Sequence, residues 1–152
     1  MRILHSYWRW IVLATWLISY YRALVGWRKQ RDWTRGDDRA AVAFVSAVDA
    51  QLLIGLILYF GFSPYWTAAH ASFASAMHDR VTRFFAVEHE VAMLLATVAA
   101  HVGRVLVKRR AASAAKHRVM LVALILFFVL VAWATPWPWR DLIGRPLFRL
   151  SP

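Results

Sequence analysis

The chain has 152 residues, the length of one domain, and its 61% hydrophobic content and mean hydropathy of +0.46 are too apolar for a soluble protein. Cysteine is absent, which excludes disulfides, thiolate catalysis, iron–sulfur clusters and cysteine-ligated zinc. The net charge of +11 lies in connections between apolar runs, so we expect a protein embedded in a lipid bilayer and no nucleic-acid partner.

Four apolar runs approach the roughly 20 residues that a helix needs to cross the hydrocarbon core. They span residues 3–24, 41–62, 84–107 and 119–135. The first is too long and too aromatic for a cleaved signal peptide, and the fourth ends where Pro136 and Pro138 stop the helix. The sequence predicts one membrane domain over residues 1–152, an all-α, integral membrane four-helix bundle with up-down-up-down topology.

The connections carry two further local patterns. In the longest one, residues 63–83, Trp66, His70 and Phe73 have helical spacing, which is typical of a short helix lying on the outer interface. An irregular loop explains the same residues equally well. In the first connection, Asp37 and Asp38 are predicted to be the N-cap and first-turn acids of the second helix.

The distribution of Lys and Arg predicts the orientation. The first and third connections with their margins hold 12 of the 19 cations, which are Arg22, Arg28, Lys29, Arg31, Arg35, Arg39, Arg104, Lys108, Arg109, Arg110, Lys116 and Arg118. The opposite side holds the others, Arg2, Arg9, Arg80, Arg83, Arg140, Arg145 and Arg149. The positive-inside rule therefore predicts that these two connections are cytoplasmic and that both termini lie outside.

A weak internal repeat relates the two halves of the chain. The sequence LAT at residues 13–15 precedes Arg22 at the same spacing as LAT at 95–97 precedes Arg104. Duplication of a two-helix hairpin would produce this pattern, and chance similarity between two apolar helices explains it equally well.

Ionisable and polar side chains within the apolar runs are the candidate functional residues, because an unpaired charge in hydrocarbon costs free energy. They are His5, Arg9, Asp49, Gln51, Glu88, His89, Glu90, His101 and His117. If the first and third helices both start outside, His5 and His89 fall in one outer layer. His101 and His117 then fall near the inner ends of their helices.

Two neutral imidazoles on facing helices are typical ligands of haem iron. We therefore expect His5 and His89 to bind haem b, with Arg9 placed to offset propionate charge. His101 and His117 are the alternative iron ligands. Without cysteine, covalent attachment of haem is excluded.

Structural roles compete with this interpretation. Histidines at the ends of spans often lie at the interface, and the flanking Lys116 and Arg118 favour a solvated His117. A hydrogen bond between His101 and Asp49 would satisfy both groups without a metal. Glu88 and Glu90 either neutralise nearby arginines or exchange protons beside a haem or a quinone.

The helical phase separates the two layers. His89 and His101 lie about 120° apart around an α-helix. His89 shares one stripe with Ala96, Ala100 and Gly103, small residues that admit a flat cofactor or a close helix. His101 belongs to a second, polar stripe with Glu90, Thr97 and Arg104, which we expect to face Asp49. One haem in the outer half is therefore favoured over two stacked haems.

Four segments of the chain resemble a small bacterial family of four-helix membrane proteins labelled cytochrome-b-like. They read HSYWRW at residues 5–10, DAQLLIGLILYF at 49–60, RFFAVEH at 83–89 and PWPWR at 136–140. The resemblance implies a small b-type cytochrome, or an accessory to a respiratory or photosynthetic electron-transfer complex in the bacterial cytoplasmic membrane. It implies no substrate.

The leading hypothesis is an electron-transfer protein that holds haem b between helices one and three and is linked to a quinol pool or a larger complex. An electron carrier or accessory subunit is favoured over a stand-alone enzyme. The alternative is a haem-free accessory or assembly subunit, bound to partner membrane subunits or to further copies of itself. A third is a small proton or solute conduit centred on Asp49 and His101.

Overall fold

The computed structural model describes residues 1–148, which form helices and no strand. The α-helices are α1 (Arg2–Arg28), α2 (Arg35–Phe62), α3 (Pro64–Ala71), α4 (Phe73–His78), α5 (Arg80–Arg83), α6 (His89–Lys108) and α7 (Ser113–Ala134). One turn of π-helix, Phe84–Glu88, joins α5 to α6 in a continuous helix. The prediction of an all-α chain is confirmed over this range, and Arg149 lies outside the described residues.

Within residues 1–148, three helices are long and apolar enough to cross a bilayer, as is typical of a membrane protein. They are Arg35–Phe62, Arg80–Lys108 and Ser113–Ala134. Helix α1 is 27 residues long, but its Arg, His, Ser and Tyr side chains make it less apolar. Its role as a fourth span stays a prediction.

The long connection contains short helices that begin at polar caps. Ser63, Ser72 and Asp79 each accept a hydrogen bond from a backbone N–H in the first turn of α3, α4 and α5. Helix α2 also begins earlier than the apolar pattern indicated. Thr34 is its N-cap and forms a capping box with Asp37, so the acid predicted as the N-cap lies instead in the first turn.

The main helix contacts form a cycle, since α1 packs on α2 and α7, and α6 packs on the same two helices. Phe44 of α2 meets Phe127 of α7 edge-to-face at 4.9 Å between ring centroids. One turn earlier on α7, Ala123 approaches α6, since a Cβ at Gly103 would lie 2.3 Å from Ala123 Cβ. The small-residue stripe of α6 therefore permits a close approach of α7 rather than a cofactor at this depth.

The end of the helices where residues 29–34 and 109–112 connect them is called the basic end. Here Asp37, 3% exposed, accepts hydrogen bonds from Arg22 at 3.0 Å and from Arg31 at 2.8 and 2.9 Å. The bond to Asp37 raises the pKa of Arg31 above its ordinary value. Two cations thus compensate one buried carboxylate and fix the α1–α2 connection.

His117 also lies at the basic end, and the expectation that it is solvated is wrong. Its side chain is 0% exposed, and its Nε2–H donates to the backbone carbonyl of Arg31 at 3.1 Å. The ring occupies the space that Gly26 of α1 leaves open, since a Cβ at Gly26 would lie 2.2 Å from His117 Cε1. The flanking Lys116 and Arg118 gave no indication of this burial, because the space for the ring is left by a glycine on α1.

Replacing Gly26 should destabilise the protein. In Gly26→Ala the new methyl group overlaps the imidazole of His117, and overpacking of this kind costs about 1–3 kcal/mol. Thermal unfolding in detergent should show a lower Tm. Gly61→Ala is the matched control because a Cβ there meets no atom within 4 Å; equal Tm values for the two variants would contradict this packing.

Candidate functional site

A cavity of about 420 Å³ lies at the end of the helices opposite the basic end. Its walls come from α1, α2, the start of α3, the π turn, α6 and the segment that follows α7. His5, Arg9, His89 and Glu90 line it together. The volume falls within the range of about 300–1,000 Å³ that small-molecule and cofactor sites occupy. The structure thus brings His5, Arg9 and His89 of the outer layer to one site, together with Glu90 and without Glu88.

His89 has a fixed orientation in this cavity. Its Nδ1–H donates to the backbone carbonyl of Ala134 at 2.9 Å, at the last residue of α7. A carbonyl only accepts, so this bond places the proton of a neutral ring on Nδ1 and leaves the lone pair on Nε2. Metal-bound histidines are commonly held in this way, by an N–H that donates to a backbone carbonyl.

The π turn lies immediately before His89. Such single turns interrupt the regular hydrogen-bond ladder and occur often at functional sites. The hydroxyl of Tyr59 on α2 donates to the carbonyl of Ala86, inside the turn, at 2.7 Å. Tyr59 therefore attaches the irregular backbone to α2 at the cavity wall.

His5 lies against Gln51 and Gly55 of α2. The amide nitrogen of Gln51 is 3.3 Å from each ring nitrogen of His5 and donates to the His5 carbonyl at 3.1 Å. A Cβ at Gly55 would lie 3.3 Å from His5 Cε1. The glycine thus leaves room beside the imidazole, and Gln51 holds the first turns of α1 against α2.

Three arginines, Arg2, Arg9 and Arg145, give the cavity a positive potential. Arg9 donates to the carbonyl of Leu147. Arg145 donates to the Tyr65 hydroxyl at 2.9 Å and lies 4.7 Å from the centroid of Phe85. These contacts draw the segment after α7 across the end of α1 and place cations beside the histidines.

Three residues of the site, Tyr59, Tyr65 and Arg145, were not predicted from the sequence pattern. The sequence did contain one indication of their role, because residues 136–148 were predicted to lie on the same side of the membrane as His5 and His89. That segment returns to the helix ends, where Phe148 stacks on Trp10 of α1 at 5.2 Å. Its prolines were interpreted as the end of a helix, and PWPWR at 136–140 as one of the four segments that carry the resemblance.

The two glutamates lie in different surroundings. Glu88 accepts from Arg83 at 2.8 Å, as expected for the neutralising role, and Glu90 lines the cavity. Asp49 and His101 lie elsewhere, joined at 2.7 Å with 48% and 50% of their side chains exposed. His117 is in the core at the basic end. Of the four predicted or alternative iron ligands, only His5 and His89 line the cavity.

Removal of the Tyr59 hydroxyl should destabilise the cavity wall. Tyr59→Phe leaves the Ala86 carbonyl without this donor, and an unsatisfied buried acceptor costs about 1–3 kcal/mol. We expect faster hydrogen exchange across residues 84–89 and a lower Tm. Tyr21→Phe, at a side chain 65% exposed on α1, should change neither quantity, and equal behaviour of the two variants would contradict the assigned contact.

Among residues 1–148 no group of three or more His, Asp or Glu side chains is placed to hold a metal ion, so the two-histidine arrangement is the one to consider there. Comparisons of the chain with protein-family models, curated proteins and solved structures find no match. The resemblance to the cytochrome-b-like family stays a prediction based on the four segments quoted above.

Proposed function

We propose that this chain is a membrane-embedded, b-type cytochrome-like electron-transfer protein, in which His5 and His89 would hold the iron of haem b between α1 and α6. The observation that carries the proposal is the cavity that both histidines line, together with the bond from His89 Nδ1 to Ala134. This bond leaves Nε2 of His89 as the nitrogen available to iron.

The remaining cavity residues fit the chemistry of haem b. When bound, haem supplies reversible one-electron transfer at its iron. Arg2, Arg9 and Arg145 provide cations for two propionates. Leu58, Phe62 and Phe85 provide apolar walls, which keep water away from the ring edges and lower the local dielectric constant.

Glu90 gives the site a group that can accept or release a proton beside the histidines. A carboxylate at the cavity wall that takes up a proton would compensate the charge that arrives with an electron. This arrangement supports electron exchange with a quinol pool, whose oxidation releases protons, or with a larger electron-transfer complex.

The proposal includes an up-down-up-down four-helix bundle in the bacterial cytoplasmic membrane, with both termini outside. Two observations support α1 as the fourth span. Its Trp8 and Trp16 indoles donate to backbone carbonyls of α2 and α7 at 3.0 and 2.9 Å, which satisfies these two groups without water. Its basic residues Arg22 and Arg28 lie at the same end as the other basic connections.

A haem-free accessory subunit is the second candidate. It is favoured by the protein partners that both histidines already have, Gln51 for His5 and Ala134 for His89. In that case the outer layer would serve only to hold α1, α6 and α7 together.

A pyridine haemochrome spectrum of protein expressed with ample haem distinguishes the two candidates. We expect a Soret band and about one haem per chain. His5→Ala and His89→Ala should each reduce the haem content at least about tenfold. His70→Ala, at an exposed position on α3, should retain it.

Folding of each variant is checked by its far-UV circular dichroism and its elution volume. A folded wild-type protein without a Soret band would exclude the cytochrome function and favour the accessory subunit. Equal haem content in the His5, His89 and His70 variants would exclude the assigned ligands.

Reporter fusions test the topology. A reporter that is active only outside the cytoplasm should be active when fused after residue 148 and inactive when inserted in residues 109–112. The reason is that basic connections are retained on the cytoplasmic side. The reverse pattern would contradict the proposed orientation, and equal activity at both sites would contradict α7 as a span.

A further inference from the structure

Asp49 and His101 form a polar pair that the described chain leaves half uncovered. Asp49 lies about 20 Å along an α2 helix of about 42 Å, near the middle of a candidate span. Its side chain is 48% exposed and that of His101 is 50% exposed. A polar pair at this depth that faced lipid would carry a large solvation cost.

Each member of the pair has one unused hydrogen-bonding atom. His101 Nε2 bonds Asp49 Oδ1 at 2.7 Å. Across residues 1–148 no hydrogen bond engages His101 Nδ1 or Asp49 Oδ2. The pair thus presents one further ring nitrogen and one further carboxylate oxygen on the same surface.

The surface around the pair is an apolar face formed by α2 and α6. On α2, Val42 lies two turns before Asp49 and is 49% exposed, and Leu53 lies one turn after it and is 60% exposed. On α6, Val98 and Val105 flank His101 with 56% and 46% exposure. We call this surface the α2/α6 face.

We propose that two copies of this chain associate through the α2/α6 face, so that Asp49 of each copy binds His101 of the other. Helices α2 and α6 lie side by side, with their polar pair at one depth. A two-fold axis along the membrane normal places α2 of one copy opposite α6 of the other. The four side chains then form a closed ring in which every acid lies between two imidazoles.

The chemistry of the face selects a second copy over a different partner. An acid and a base side by side at equal depth are self-complementary under two-fold rotation, because the rotation exchanges their positions. Both copies also keep the same orientation in the membrane. A second ion pair, Arg104 with Asp38 at 2.9 Å, continues the face towards the basic end and leaves Asp38 half exposed.

Cross-linking in native membranes tests the contact directly, and the absence of cysteine removes any background. Ser46→Cys places a thiol on α2, one turn from Asp49 on the exposed side. Treatment with a bismaleimide that spans diagonal helices should give a band at twice the mass of the chain. Val122→Cys on α7, at a similar depth and 59% exposed, should give none.

Exchange of the charged groups tests the pairing. In the Ser46→Cys background, Asp49→His alone and His101→Asp alone should each reduce the cross-linked dimer about tenfold, because like groups then meet across the axis. Co-expression of the two variants under different tags should restore a cross-linked heterodimer, since every cross-axis contact again joins an acid to an imidazole.

The restored heterodimer also separates pairing from misfolding, because a misfolded variant would not regain a partner. Dimer levels that are unchanged in both single variants would overturn the pairing. The proposal is equally overturned by failure of co-expression to restore the heterodimer, by monomer alone from Ser46→Cys, or by an adduct of Ser46→Cys with a different protein.

Discussion

Hydrocarbon offers no hydrogen-bond partner, so a polar group that this chain places at membrane depth costs free energy unless the protein or a neighbouring chain supplies one. At the basic end the buried Asp37 has two arginines. At mid-depth Asp49 has His101. At the opposite end His89 has the last carbonyl of α7. The levels differ in how far the polar groups are covered. Asp37 is buried with its two arginines, whereas about half of the Asp49 and His101 side chains remains exposed.

The same constraint explains how α1 is held although it is less apolar than the other long helices. Trp8, Trp16 and Ser19 each donate to a backbone carbonyl of a neighbouring helix. In a bilayer such bonds add to van der Waals packing, because no hydrophobic force drives helices together there. They fix the rotation of α1, and that rotation is what directs His5 to α2 and the cavity.

Depth and helical phase predicted a large part of this arrangement. Counting along the apolar runs placed His5 and His89 in one layer, and the phase of α6 separated His101 from His89. The burial of His117 could not be predicted in this way, because it depends on the absence of a side chain at Gly26, on a helix distant in sequence. Arg145 was missed for a related reason, since its contacts with Tyr65 and Phe85 form only when the last segment folds back.

The π turn could not be predicted from periodicity either, yet it determines what surrounds His89. In an α-helix residues four apart share a face, whereas a π turn aligns residues five apart. Arg83 and Glu88, five apart, form their ion pair across this turn. Tyr59 meanwhile takes the Ala86 carbonyl within it. Glu88 therefore pairs with Arg83, although the next residue, His89, lines the cavity. In a regular α-helix Arg83 and Glu88 would point in different directions. The π turn therefore separates Glu88, which pairs with Arg83, from His89 and Glu90, which line the cavity.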